Sequence, residues 1–501
     1  MLLTLMGLGA VSLLELTLWL PFMWRVHKSL ASLVVPLLIL ISIAVVVAHT
    51  SLWTGILFLL SLYRVVNLLR LVRGKTLADY LYRVARASSF WLIGLQLLVL
   101  AGAKASTYLS VSALQWWEVV AVLQIAAVGV LLASTIRHLA TTQPLTLTTG
   151  YADRDLPSLT VAIPARNETE DLAACLASLV ASDYRKLEIL VLDDCSQNKR
   201  TPEIIRSFAH SGVRFIAGEV PSNQWLAKNY AYAQLAKEAN GDMLLFCGVD
   251  ARFSPSSLRQ LVEIMLEKKK TMLSVIPSNS APPAWNLEAL MVQPARYAWE
   301  LALPRRWLNR PPILSTCWLI DHTLLNKSGG FEAVSRSISP ESFLARYAAT
   351  QDDGYSFMQS SPQIGISSAK SFDEQRATAI RTRYPQLHRR PELVGLLSLL
   401  ELLVLTGPFV GLIIGVVGQH WLYALLCLIA CGCLVSFYSK IVTLTYRQFL
   451  WRGLWLLPFV CLYDLVLLNY SLYQYEFREV IWKGRNICLP VMRVIPKLPP
   501  L

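Results

Sequence analysis

The sequence predicts a multi-pass membrane protein in which an α/β domain, built on a mostly parallel sheet, lies between N-terminal and C-terminal blocks of transmembrane helices. Three observations lead to this reading. Apolar residues make up 54% of the 501-residue chain against 16% charged, and the mean hydropathy is +0.45, too apolar for a soluble multidomain protein. The apolar residues crowd 1–135 and 391–475, while 158–390 carries most of the acidic residues. Within 158–390, short apolar runs alternate with helical segments, the pattern of a sheet fed by crossover helices.

A helix crosses the hydrocarbon core in about 20 mostly apolar residues. Five such stretches precede the central domain, near 3–24, 30–49, 51–69, 89–108 and 116–135. The first has no basic segment ahead of it and no clear small-residue cleavage site behind it, so it reads as a retained span. Arg25, His27 and Lys28 follow the first span, and Arg70, Arg73, Lys75, Arg83 and Arg86 follow the third. The turn around "AHTSLWTG" has no Lys or Arg, and the loop after the fourth span has only Lys104. Positive-inside counting then places the central domain on the cytosolic side of a plasma or inner membrane.

Residues 136–157 form a linker. In the C-terminal block, 394–416 and 420–438 are expected to span. The stretch 453–472, interrupted by Pro458 and Asp464, is expected to lie in the interface or re-enter. Residues 476–501 form a basic cytosolic tail. The net charge of +13 sits beside the apolar segments, as in "RLVRGKTLADYLYRVAR" (70–86) and "RTRYPQLHRR" (381–390). That placement suits a collar near anionic lipid, and no nucleic-acid partner is expected. The nine cysteines show no paired framework, and Cys427, Cys431, Cys433 and Cys461 fall inside apolar runs. They read as small core hydrophobes.

The central elements follow in order. "LTVAIPARN" (159–167) is a strand and turn, "DLAACLASLVASD" (171–183) an amphipathic helix, and "LEILVLDD" (187–194) a strand ending in two carboxylates. "EIIRSFAHSG" (203–212) is a helix, "VRFIAG" (213–218) a strand, "LAKNYAYAQLAKEANG" (226–241) a helix and "DMLLFCGVD" (242–250) a strand. Asp193, Asp194 and Asp250 fall at strand exits, where open α/β sheets bind ligands. Carboxylates there can hold a hydrated divalent cation that carries a diphosphate, or accept hydrogen bonds from a ribose or base. Capping of the next helix is the alternative for any one of them. With no P-loop and no GxGxxG turn, kinase-like and dinucleotide-dehydrogenase readings lack support.

The order of "IPARNE" (163–168), "VLDDCS" (191–196), "NQWLAKNYA" (223–231), "LLFCGVDARFSP" (244–255) and "GGF" (329–331) resembles the membrane-associated inverting glycosyltransferases of family 2. Their nucleotide-sugar-binding domain has the GT-A fold. "WLAKNYA" followed by "ANGDMLLF" is similar to the ceramide glucosyltransferase-like and hopanoid- or carotenoid-linked branch, and "VIWKGRNICL" (480–489) to a Trp-basic-Gly-Arg ending found there. The resemblance covers 158–390 and, less fully, the tail. Five preceding spans are more than this branch usually carries.

The resemblance implies transfer from a nucleotide-diphosphate sugar to a lipid or membrane-bound acceptor, with Mg2+ or Mn2+ as cofactor. It implies that Pro164, Asn167 and Glu168 shape the first nucleotide-binding turn, and that Asp193 or Asp194 contacts the base or ribose. Lys228 would sit near the diphosphate or donor sugar, offsetting leaving-group charge. The family's Asp-x-Asp motif falls on Gly248-Val249-Asp250, which leaves Asp250 as the metal carboxylate. One carboxylate can suffice, because Mg2+ takes one or two protein carboxylates beside phosphates and waters.

Two further motifs depart from the family. The acidic pair expected after "GGF" falls on Glu341-Ser342, so Glu341 is the candidate catalytic base, since a serine has no basicity near neutral pH. Helix capping is the alternative for Glu341. Asp353 is a second catalytic candidate, but with Asp352 it lies ~16 Å along the helix and cannot share the task if that segment stays helical. A lost base matters less for a lipid phosphate, which is already anionic, than for an alcohol. The family's Gln-x-x-Arg-Trp motif maps onto Arg383-Tyr384 or onto Gln386-x-x-Arg389-Arg390. Either would bring a guanidinium to the donor diphosphate, or form a basic collar at the membrane. Ser315 and Thr316 in "NRPPILSTCWLI" match the acceptor side or are plain core. Alternative functions are a polysaccharide synthase with a chain channel, against which the blurred third motif argues, and a degenerate, non-catalytic nucleotide-sugar-binding protein. A transporter fits less well, because the spans hold few charges.

Overall fold

The computed structural model of the chain describes residues 2–20, 27–48, 51–73, 79–108, 113–143, 150–279, 287–302, 311–351 and 354–488. The chain divides into two compact units, one gathering Met1–Val128, Ala379–Gly432 and Cys461–Glu479, the other Gly129–Thr378, Cys433–Val460 and Val480–Leu501.

Among the described residues, seven helices are long and apolar enough to cross a membrane: Lys28–Ala48, Trp53–Val72, Tyr82–Lys104, Leu114–Thr141, Pro391–Val417, Trp421–Tyr446 and Leu450–Phe477. Met6–Thr17 is a shorter apolar helix. In the first unit Val47 and Val417 are 78% and 80% exposed, as apolar side chains facing hydrocarbon would be. Several of its charges are buried and paired, although both carboxylate oxygens of Glu401 are buried without a hydrogen-bond partner among the described residues. Glu15 accepts from Arg64 Nε at 2.9 Å, and both side chains are fully buried. Glu476 accepts from Arg70 at 2.7 Å and from Arg389 at 3.0 Å.

The stretch 453–472, expected to lie in the interface or to re-enter, falls within one continuous helix, Leu450–Phe477, with Pro458 inside it. Asp464 is not an interruption, because it pairs with Arg383, and a paired charge is tolerated in an apolar helix where a lone one is not.

The second unit is built on a seven-stranded mixed sheet in the order β3-β2-β1-β4-β8-β6-β9. Its strands are β1 (Leu159–Ala165), β2 (Leu187–Asp193), β3 (Val213–Ala217), β4 (Met243–Cys247), β6 (Met272–Ile276), β8 (Cys317–Asp321) and β9 (Tyr355–Gln359). All neighbours are parallel except β8, which runs antiparallel to both β4 and β6. Beside it, β5 (Ala251–Phe253), β7 (Ser278–Asn279) and β10 (Ile366–Ser368) form a three-stranded sheet in the order β5-β10-β7. The pair β11 (Ile481–Trp482) and β12 (Arg485–Asn486) forms an antiparallel hairpin.

The strands predicted at 159–167, 187–194, 213–218 and 242–250 correspond to β1, β2, β3 and β4. Their side chains alternate with period two, as strands buried on both faces require. Val161, Ile163, Ile189, Val191 and Leu245 join one core with Leu172, Leu176 and Leu261. Ala162, Leu190, Leu192, Leu244 and Phe246 join the other with Tyr232, Leu235 and Leu344. Phe246 stacks on Trp318 with centroids 4.4 Å apart, and Tyr232 meets Phe246 edge-on at 4.9 Å. These two layers hold the strand exits in place. The cysteines among the described residues are free, and six of them are buried.

Candidate functional site

The first two strand exits are tied to each other by backbone. In register, Ala165 stands opposite Asp193, and Asp193 opposite Ala217. Past the ends, Asp194 N donates to Ala165 O at 2.8 Å. Asn167 takes φ of 52°, a left-handed turn that asparagine tolerates better than most residues. Its amide donates to Ser196 Oγ at 2.9 Å, and its side-chain oxygen accepts from Gln197 N at 2.8 Å. Asp193 Oδ1 accepts from Ser196 N at 3.1 Å. Pro164 is half-buried within β1, opposite Leu192.

A third strand of chain joins this corner. Arg166 Nη1 donates to the carbonyls of Asp194 and Cys195, both at 2.6 Å, and its Nε donates to Lys483 O at 2.8 Å. Lys483 forms an ion pair with Glu168. Arg485 Nη1 donates to both carboxylate oxygens of Asp194 at 2.7 Å, and its Nη2 to the Asp194 carbonyl at 3.3 Å. Burial pushes the Asp194 carboxyl up from its ordinary value, and the Arg485 guanidinium pulls it back part of the way. Burial draws the Lys483 ammonium down to about 8, so it still carries charge for Glu168 at neutral pH. Lys483 and Gly484 have φ of 47° and 77°, the sense a two-residue hairpin turn requires at both central positions. Sequence reasoning missed Arg166, Lys483 and Arg485. Of these, only the tail similarity to a Trp-basic-Gly-Arg ending signalled anything.

The β4 exit is shaped around Asp250. Gly248 N donates to Thr316 O at 3.0 Å, and Arg252 braces the turn by donating to Val249 O at 2.7 Å and to Asp171 Oδ1 at 2.6 Å. Asp250 Oδ2 accepts from Ser368 Oγ at 2.8 Å. A Cβ at Gly248 would collide with Asp250 Oδ1. Where the resemblance implies a second carboxylate, the carboxylate of Asp250 itself occupies the space. Among the described residues no cluster of three or more His, Cys, Asp or Glu could hold a metal ion.

Glu341 stands in the first turn of the helix Pro340–Thr350 and is 5% exposed. Its Oε2 is buried with no hydrogen-bond partner among the described residues. An unpaired buried carboxylate oxygen is costly, which sets Glu341 apart from an ordinary capping acid. The loop leading into this helix is held by Asn229, whose Nδ2 donates to the carbonyls of Val334 at 2.8 Å, Ser335 at 3.1 Å and Ser337 at 2.7 Å. One residue before it, Lys228 is half-buried with Nζ 5.1 Å from the centre of the Tyr232 ring. Ser315 is half-buried and Thr316 is buried.

Three further expected site residues, Arg383, Gln386 and Arg389, belong to the first unit. Arg383 pairs with Asp464, and Arg389 with Glu476, all four within the first unit. Gln386 is half-buried at the end of the helix Phe372–Gln386. Asp353 lies outside the described residues.

Residues 160–329 match the sequence profile of a family described as glycosyl transferase family 2. The chain is 36% identical over 97 residues to a 4,4'-diaponeurosporenoate glycosyltransferase of Staphylococcus haemolyticus, covering 19% of this chain and 25% of that protein. It is 23% identical over 190 residues to an uncharacterised glycosyltransferase of Haemophilus influenzae, covering 38% and 61%. It is 32% identical over 108 residues to an N-acetylglucosaminyltransferase of Bradyrhizobium, covering 21% and 69%. The chain thus spans only a quarter and about three fifths of the length of the first two relatives. Among solved structures, a mannosyltransferase from Pyrobaculum calidifontis in complex with GDP-Man and Mn2+ aligns over 72% of this chain and 99% of its own, at 17% identity and a TM-score of 0.44. The mixed sheet with its parallel half is GT-A-like, and the chain belongs to glycosyl transferase family 2.

Gly248→Asp is expected to displace the Asp250 carboxylate from Ser368, costing about 0.5–1.5 kcal/mol, the net worth of one hydrogen bond. Thermal unfolding in detergent, with Ser368→Ala alongside, reads this. A much larger loss in Gly248→Asp than in Ser368→Ala would contradict relief by the Asp250 side chain alone.

Proposed function

We propose that this chain is an inverting glycosyltransferase that moves a sugar from a nucleotide-diphosphate sugar to a lipid or membrane-bound acceptor at the cytosolic face of a plasma or inner membrane. One observation carries the reading. The segment with family 2 similarity, 160–329, contains the exits of β1, β2 and β4, where Glu168, Asp193, Asp194 and Asp250 stand. The seven apolar helices support a membrane acceptor, as does a relative named for 4,4'-diaponeurosporenoate.

Asp250 offers a hard carboxylate oxygen at this edge, which fits Mg2+ or Mn2+ with donor diphosphate oxygens and waters completing the shell. When bound, such a cation stabilises the charge of the departing nucleoside diphosphate. Lys228 would add a cation near the diphosphate or donor sugar, as the resemblance implies. Asn167, Glu168 and either Asp193 or Asp194 form the nucleoside end. Arg383 and Arg389 are neutralised by Asp464 and Glu476, so the donor role falls to the strand-exit residues. Glu341, with its unpartnered buried oxygen, accepts the proton of an acceptor hydroxyl as it attacks the anomeric carbon in line.

The test uses protein purified in detergent, nucleotide sugars, Mn2+ or Mg2+, and membrane lipid extract, with nucleotide release as readout. Release that requires metal and is lost in Asp250→Asn is expected. Binding without turnover would instead favour a non-catalytic protein. Glu341→Gln is expected to lower kcat by about 10²–10⁴, the range of general-base catalysis. An unaffected rate, with an acid-labile glycosyl phosphate as product, would remove Glu341 from the mechanism and make the acceptor a phosphate.

A further inference from the structure

The hairpin Ile481–Asn486 makes more contact with the nucleoside end of the site than a passing tail would. It reaches residues 291 positions away in sequence, so forming these contacts closes a very long loop at an entropic cost. Three separate ties hold it there: Arg485 on Asp194, Lys483 on Glu168, and the Lys483 carbonyl on Arg166. All three end on the β1 and β2 exits. The turn itself is preformed, since Gly484 supplies the left-handed conformation without strain. A Cβ at Gly484 would come within 3.3 Å of Gln197 Oε1, which shows how closely the tip seats on the β2 exit.

These ties divide the two aspartates. Asp194 is 4% exposed, and Arg485 occupies both its carboxylate oxygens. A ribose or base would have to displace a buried, charge-assisted contact to reach it. Asp193 is half-buried. Its Oδ1 accepts from Ser196 N, and its Oδ2 accepts no hydrogen bond among the described residues.

We propose that the hairpin is a resident wall of the donor site, with Arg485 a positioning residue that fixes Asp194 and the two exit turns so that Asp193 meets the nucleoside. The inference rests on the nucleotide-sugar reading given above. It assigns the tail to recognition of the nucleoside diphosphate and not to anchoring alone.

The test is steady-state kinetics on the full-length protein in detergent, with a nucleotide sugar that the wild type turns over. Arg485→Ala is expected to raise the donor KM by about tenfold or more, the size of a lost charge-assisted hydrogen bond, while kcat changes far less. Arg485→Lys should fall between the two. Lys483→Gln, which leaves the Asp194 contact intact, should raise KM in the same direction. The exchanged pair Arg485→Asp with Asp194→Arg should recover part of the loss even if Arg485→Ala folds poorly. Asp193→Asn should raise donor KM, and Asp194→Asn should resemble Arg485→Ala.

An unchanged KM in Arg485→Ala and Lys483→Gln would overturn the proposal and leave the hairpin an anchor. A lowered KM with a faster rate would overturn it in favour of a strap that must leave before the donor enters. If the wild type binds no nucleotide sugar at all, the functional reading itself fails, a result distinguishable because it precedes any variant.

Discussion

The parallel register of β1 with β2 and with β4 is the constraint on which the other features rest. Parallel strands end on the same edge, so residues far apart in sequence are delivered to one line. Parallel pairing also requires crossover helices on both faces, and hence two apolar layers. The alternation of Val161, Ile163 and Val191 with Ala162, Leu190 and Leu192 supplies both layers from the same strands. A slip of one residue would reverse which face each side chain occupies and move the carboxylates off the edge.

Collecting acids at one edge creates repulsion and desolvation that the fold must offset. It does so with cations from distant segments. Arg252 braces the β4 exit against Asp171, Arg166 bridges the first two exits, and the tail brings Lys483 to Glu168 and Arg485 to Asp194. The first unit follows the same rule in an apolar setting, where Glu15, Asp464 and Glu476 each have an arginine. Breaking one member of such a pair leaves an uncompensated buried charge, which costs several times more than the pair contributes. Glu341 and Asp250 form no ion pair among the described residues. Glu341 keeps a buried oxygen without a hydrogen-bond partner, as Glu401 of the first unit does, and Asp250 is held by a neutral serine hydroxyl.

Much of the sheet was legible because its signals are local. Apolar runs bounded by Gly, Asn or Asp marked β1 to β4 to within three residues at each end. Asp193, Asp194 and Asp250 could be placed at strand exits from sequence alone. Contacts set by chain closure were not legible. Nothing near Asp194 indicates that Arg485 will reach it, and nothing near Arg383 names Asp464 as its partner. That second omission also bears on the stretch 453–472, where Asp464 looked like an interruption because its counter-ion was invisible. Gly248 read as a missing ligand, and only geometry shows the space filled by the Asp250 carboxylate.

The exits of β1, β2 and β4, together with the tail hairpin, are proposed to form one nucleotide-sugar site. Amide hydrogen exchange on the full-length protein, with and without nucleotide sugar and Mn2+, measures this directly. Protection gathered at 165–168, 193–197, 248–250 and 481–486 is the expected result. Ligand-dependent protection confined to other segments, or loss of protection at 481–486 as ligand binds, would contradict it.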